Sequence, residues 1–147
     1  MEITLSFVLP DPAIEPLALF GLQTRNAEEG IRQLKRGLPA QGWAVLVNSL
    51  GANEKDLAAV VQIPTTTLAR RKKAGRFTLE ESERLLRVAR LVAQAQRVFR
   101  SQQGVARWFN QPNRGLGGAT PLEYASTPIG AEEVERVLER ILDGSPA

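Results

Sequence analysis

Residues 53–76, "NEKDLAAVVQIPTTTLARRKKAGR", decide how this chain is read. Asn53 is a natural helix cap, and Glu54 and Asp56 follow where carboxylates favour the positive end of a helix dipole. The connection "QIP" separates that short helix from a second one, which opens near Thr65 and stops by Gly75. Short helix, three-residue turn, short helix is the outline of a helix-turn-helix. Ala58 is small enough to let the first helix approach the second, and Ile63 and Leu68 supply buried anchors. Thr65, Thr66 and Thr67 then stand at the exposed start of the second helix, where side chains reach base edges.

The same stretch carries two departures. Gln62 occupies a turn position where glycine is common, and Arg71 occupies a position where a second apolar anchor is usual. The expectation is a second helix held loosely or cut short. Five of the seven residues 70–76 are basic: Arg70, Arg71, Lys72, Lys73 and Arg76. Cations near a helix C-terminus are stabilising in themselves, but this density exceeds what that role needs. A nucleic acid is the favoured counterpart; an acidic protein and a plain solvated face are the alternatives.

Outward from this stretch, the pattern is helical. Asn26 with Glu29 caps a short helix that ends at Gly37 and Pro39. "AQGWAVLVNSLG" carries Trp43, Leu46, Val47 and Leu50 on a second helix. Thr78 and Glu81 form a capping box before a long helix reaching about Arg100, with Leu85, Val88, Ala89, Val92, Ala95 and Phe99 along one stripe. "VARWF", a turn at "PLEYA" and a last helix "GAEEVERVLERILDG" follow. The fold class is all-α, a bundle of about eight helices. "EITLSFVL" reads as a short strand or an arm ordered by a partner, and "PDPAIEP" as a linker or turn.

Composition excludes several functions. The 147 residues contain no cysteine and no histidine, which removes thiol chemistry, disulfides, the usual general base and the commonest transition-metal ligand. The expectation is a protein that is not an enzyme and holds no metal or cofactor. No apolar run suffices for a membrane span, and no basic residue precedes Arg25, so a cytoplasmic protein is expected. The net charge of +3 conceals an asymmetry: residues 66–114 hold twelve Lys/Arg against three Asp/Glu, and the remainder seven against thirteen. A field of this kind attracts a polyanion or an acidic surface. On the long helix, Glu80 and Glu83 stand four residues before Arg84 and Arg87, the spacing of an exposed helix pair. Arg90, Arg97 and Arg100 have no such neighbour and are interface candidates.

Near the C-terminus, Trp108 and Phe109 are expected in the core. In the loop 110–120, Gly115, Gly117 and Gly118 permit φ > 0 and close approach, with Leu116 displayed between them. Insertion into a partner's pocket and a tight turn joining two helices both fit that loop. "GLGGAT" is not a phosphate loop, since it lacks the Lys-Ser/Thr ending and a preceding strand. On the last helix Val134, Val137, Leu138 and Ile141 form the packing stripe. Glu132, Glu133, Glu135 and Glu139 form an acidic outer face, either solvated or set against a basic rim.

From about residue 31 to 144 the sequence resembles the Xre/MbcA/ParS family of antitoxins. The resemblance is carried in order by "GLP" at 37–39, the "TLARRK…G…LEESERL" core, "A.AQRVF", "ARWFNQPNRGLGGATPLEYAST" and "GAEEVERVLERILDG". It implies an Xre-like helix-turn-helix that binds operator DNA and a C-terminal helical region that binds a cognate toxin. The implied toxin is a RES-domain enzyme that degrades NAD; the antitoxin blocks its active site, and the complex represses its own operon. Carried over by position, the DNA-binding residues are Thr65, Thr66, Thr67, Arg70, Arg71, Lys72, Lys73 and Arg76. The toxin-binding residues are Trp108, Asn110, Asn113, Arg114, Leu116, Gly117, Gly118, Pro121, Leu122 and Tyr124, together with the last helix.

The implied division is an N-terminal extension of unknown role (1–30), a helix-turn-helix region (31–77) and a long helix with the toxin-binding region (78–147). One such motif binds DNA weakly, so a homodimer within a hetero-oligomeric complex is expected, with the long helix as one dimer face. The alternative is a stand-alone helix-turn-helix regulator without a toxin.

Overall fold

The computed structural model describes residues 13–144. Eight α-helices run in the order α1 (Ala27–Arg36), α2 (Gly42–Leu50), α3 (Glu54–Val60), α4 (Thr65–Ala74), α5 (Leu79–Phe99), α6 (Gln102–Phe109), α7 (Pro121–Tyr124) and α8 (Pro128–Leu142). Two 3-10 turns, Glu15–Phe20 and Arg114–Leu116, complete the described elements, which include no strand. The segment read as a strand or arm, 2–9, lies outside the described residues.

Local chemistry explains most boundaries. Asn26 accepts from Glu29 N at 2.9 Å, Asn53 from Asp56 N at 2.8 Å and Ser101 from Gly104 N at 3.0 Å. Thr78 and Glu81 close both halves of the capping box that starts α5. Each bond satisfies an amide that the first helical turn leaves without an intrahelical partner. Thr127 caps α8 with Pro128 at its first position, so that helix begins two residues before the "GAEEVE" run.

At 21 residues, α5 is about 30 Å long and serves as the axis of the molecule. Leu85, Val88, Ala89, Val92 and Ala95 are buried along it, as the spacing of the stripe requires, and Phe99 is partly covered. It packs chiefly on α8 and on the first 3-10 turn, then on α6, α1 and α2. Trp43 is fully buried and tilts against Phe77 with ring centroids 6.2 Å apart. Phe109 is also fully buried, whereas Trp108 is only partly so, lying between Phe99 and Phe109.

The sequence offered no role for the residues before 31, yet part of that segment is core. Leu17 and Phe20 have no exposed surface, and Phe20 lies so close to α2 that a methyl group on Gly42 would overlap its ring. The segment 10–16, read as a linker or turn, is a turn from residue 13 onward: Pro16 sits in the first turn of the 3-10 segment and Glu15 pairs with Arg97 of α5. A helical-periodicity reading misses such a turn because three buried residues, Pro16, Leu17 and Phe20, suffice to pack it against α2 and α5.

A backbone clasp then joins the α1–α2 connection to the α4–α5 connection. Phe77 N donates to Leu38 O at 3.0 Å and Ala40 N to Gly75 O at 2.9 Å, around an antiparallel bridge between Pro39 and Arg76. Leu38 N donates to the buried Ser82 hydroxyl at 2.8 Å. Gly37 has φ +90°, and any Cβ there would overlap the Phe77 carbonyl oxygen. The "GLP" motif is therefore the clasp that fixes α4 relative to α5.

Candidate binding surfaces

The helix-turn-helix forms as the sequence indicated. Ala58, Ile63 and Leu68 are buried where α3 meets α4. Gln62 adopts φ +56°, one of two non-glycine residues with positive φ among those described. The turn thus requires the left-handed backbone that glycine ordinarily supplies, and Gln62 adopts it at a steric cost.

Arg71 is not a loose end. Its Nε donates to Glu81 Oε1 at 2.7 Å and a terminal nitrogen to Oε2 at 3.2 Å, a two-pronged pair with a carboxylate that is almost wholly buried. The Thr78 amide donates to the same Oε1 at 2.9 Å. Burial pushes the Glu81 carboxyl up, but the hydrogen bonds from Arg71 and Thr78 outweigh it and hold the group below its ordinary value. Arg71 in turn is raised, first by its hydrogen bond to Glu81. The missing apolar anchor is replaced by an ion pair between α4 and the first turn of α5, so α4 is neither loose nor short, and Arg71 is withdrawn from the DNA-facing set.

Two more of the expected DNA-facing cations have partners within the chain while staying exposed. Lys72 pairs with Glu54, which also accepts from Trp43 Nε1 at 2.8 Å; these two hydrogen bonds lower the Glu54 pKa. Arg76 donates to Gly37 O at 2.8 Å within the clasp. Outward on α4 are Thr65, Thr66, Arg70, Lys72 and Lys73, with Thr67 half-buried and 3.4 Å from an Arg70 nitrogen. Among the described residues Lys73 has no ion-pair or hydrogen-bond partner. Pro64 precedes α4 and provides no side-chain cap, so the first amides of that helix are left open.

The arginines of α5 also differ from the helix-pair reading. Arg84 Nε donates to Val61 O at 2.7 Å, closing the C-terminal end of α3, and does not pair with Glu80. Arg87 does not pair with Glu83: its Nε is buried without a partner, and burial followed by the Arg84 charge holds the guanidinium below its ordinary value. Arg97, expected to be free, pairs with Glu15; Arg90 and Arg100 stay exposed.

At the other end, the glycine-rich loop is closed upon itself. Asn113 Oδ1 accepts from Gly115 N at 2.8 Å, its carbonyl accepts from Gly118 N at 2.9 Å, and its amide donates to Ala119 O at 3.0 Å. Gly117 and Gly118 take positive φ, but Gly115 does not. Leu116 is 2% exposed and packed in the core, so it is not displayed to a partner. Asn110 uses its side-chain amide to bond Leu50 O at 2.8 Å and Ala106 O at 2.7 Å, tying α6 to the end of α2. Pro121 and Leu122 are buried. Of the candidate toxin-binding residues, Asn110, Arg114, Gly117, Gly118 and Tyr124 are exposed, and Trp108 and Asn113 are so in part. Tight-turn geometry, with caps at Asn113 and Thr120, accounts for the composition that looked like a flexible insertion loop.

The described residues hold no cluster of acidic residues able to bind a metal and no helix long and apolar enough to cross a membrane. Comparison with known proteins adds the family. Residues 29–90 match the antitoxin Xre-like helix-turn-helix domain, and residues 94–144 match the antitoxin Xre/MbcA/ParS C-terminal toxin-binding domain. The chain is 32% identical to antitoxin Xre of Yersinia enterocolitica, with 74% of this chain and 85% of that protein aligned. It is 31% identical to antitoxin Xre of Photorhabdus laumondii, with 76% of each aligned. A Pseudomonas putida antitoxin Xre is 35% identical over about half of each chain (56% and 52%). With an Xre-like helix-turn-helix seated on a C-terminal helical domain, the chain belongs to the Xre/MbcA/ParS family of antitoxins.

Proposed function

We propose that this protein neutralises a RES-domain, NAD-degrading toxin by covering its active site through residues 94–144. We also propose that it represses its own operon by placing α4 on operator DNA. What supports this reading is one helical scaffold that carries both an Xre-like helix-turn-helix and a C-terminal domain of the toxin-binding type. The open face of α4 is cationic and hydroxyl-rich, and a C-terminal helical domain of the toxin-binding type packs along α5, with α7 against α3. No chemistry by this chain is needed, because occlusion of a substrate path suffices.

Thr65, Thr66 and Arg70 are the side chains placed to reach base edges, and Lys73 is placed for a phosphate; the open amides at the start of α4 suit a second phosphate. A homodimer presenting two copies of α4 to half-sites one turn apart supplies the affinity a single motif lacks. The assembly acts in the cytoplasm. The functional division follows the helices, with 31–77 facing DNA and 78–147 carrying the toxin contacts.

The test is direct. The companion toxin is assayed for NAD loss with and without this protein, and the complex is titrated onto its upstream DNA at rising salt. Inhibition at equimolar protein, together with a steep salt slope and preference for the upstream duplex over random sequence, supports the reading. A stable complex that leaves NAD degradation intact refutes occlusion. Operator binding by a chain that recovers no toxin favours a stand-alone regulator instead.

A further inference from the structure

A toxin-binding half needs an apolar anchor at its surface, because binding energy concentrates in a few well-packed side chains surrounded by a polar rim. The glycine-rich loop does not supply one, since Leu116, Pro121 and Leu122 are spent on the protein's own core. The large apolar side chains left exposed among the described residues are Ile31, Val45, Tyr124, Ile129 and Leu142. Three of them fall within 94–144, and Ile129, at 77%, is the most exposed of all.

We propose that the corner joining α7 to α8 is where the toxin docks, with Ile129 and Tyr124 as its apolar centre. This rests on the antitoxin reading above and deepens it. The corner is rigid. Tyr124 N donates to Thr120 O at 3.0 Å, Thr127 Oγ1 accepts from Gly130 N at 3.0 Å, and Pro121 and Pro128 fix the first residue of each helix. Gly130 lies against the Tyr124 backbone so closely that a Cβ would overlap its carbonyl oxygen. A preorganised surface loses little conformational freedom on binding.

Charge identifies the partner's chemistry. Residues 121–135 contain four glutamates (Glu123, Glu132, Glu133 and Glu135) and no Lys or Arg, in a chain of net charge +3. Glu132 and Glu133 follow Ile129 at helical spacings of three and four, which places them on the same side of α8. Glu133 pairs with Arg136, and Glu132 lines a groove with Glu83, Arg87 and Arg90 of α5. The surface that fits is an apolar pocket with a Lys or Arg at its rim, the counterpart of an exposed isoleucine with Glu132 one turn along the helix.

The experiment measures affinity for a catalytically inactivated companion toxin, with thermal melting of each variant as the folding control. Ile129→Arg is expected to weaken binding about a hundredfold and Tyr124→Ala about tenfold, with melting unchanged. Glu132→Lys is expected to slow association and flatten its salt dependence. Leu142→Ser, at the opposite end of α8, is expected to bind as the wild type does. Wild-type affinity in a normally folded Ile129→Arg protein overturns the corner and leaves the antitoxin function standing. A wild-type chain with no affinity for the toxin overturns both.

Discussion

The basic helix α4 and the glycine-rich loop before α7 advertise themselves in the sequence in the same way, by local composition, and the structure treats them in the same way. Around α4, Arg71 pairs with Glu81 of α5 and Arg76 with the Gly37 carbonyl. Lys72 pairs with Glu54 of α3 and stays exposed, which leaves Arg70, Lys72 and Lys73 as the outward cations of the helix. In the loop, Leu116 and Asn113 build a closed turn and Asn110 ties α6 to α2, which leaves Arg114, Gly117 and Gly118 outward. The two regions differ in what remains. What stays outward on α4 is positive and polar; at the α7–α8 corner it is the exposed, apolar Ile129. Charge density is therefore a measure of possible contacts, and burial decides which are made within the chain.

The strongest way to break this comparison is to strike the glycines on each side. Gly37→Ala places a Cβ into the Phe77 carbonyl at φ +90° and is expected to cost about 3–5 kcal/mol, combining overlap with backbone strain. Gly117→Ala, also at positive φ but with open space around it, is expected to cost only about 1 kcal/mol. Chemical denaturation of the two variants measures the difference; equal costs would mean that the clasp is not rigid.

Next in size is the ion pair behind α4. Glu81→Ala removes the capping-box carboxylate and the partner of Arg71, and is expected to lower stability by about 2–3 kcal/mol. The pH dependence has a definite sign. The folded Glu81 pKa lies below its ordinary value, so its contribution is present above the ordinary carboxylate range and is lost as pH falls through the depressed value. Denaturation midpoints followed downward from neutral pH should decline less steeply in Glu81→Gln than in the wild type.

Cations of α4 sharpen the comparison further. Arg71→Ala is expected to lower the melting temperature. Lys73→Ala is expected to leave it unchanged while reducing the magnitude of the DNA salt slope by about one. Salt titrations on the upstream duplex separate the two, and a lost slope in Arg71→Ala without destabilisation would return that arginine to the DNA-facing set. Smallest is Gln62→Gly, which relieves the left-handed turn but loosens the unfolded chain. The two effects nearly cancel, for an expected change within about 0.5 kcal/mol by thermal melting.

Much of the architecture was legible because its signals are local. The caps at Asn26, Asn53 and Thr78 and the stripe from Leu85 to Ala95 depend on residues within a turn or two of one another. The helix-turn-helix followed from Ala58, Ile63 and Leu68 for the same reason. The N-terminal 3-10 turn escaped notice because Leu17 and Phe20 have meaning only against α2 and α5. Glu83 and Arg87 stand at pairing distance in sequence but do not pair, and Arg84 turns instead to a carbonyl 23 residues earlier.

By itself, the sequence determined an all-helical chain with no thiol or imidazole chemistry, a basic middle and an order of motifs that assigns the family. Helix caps, periodicity and the absence of a residue type are properties of neighbours along the chain. The tertiary structure decided which cations are free and which are fasteners, that Leu116 is core and Ile129 is surface, and that the first described turn belongs to the fold. Each of those depends on partners far away in sequence, brought within hydrogen-bond or van der Waals reach only when the helices pack.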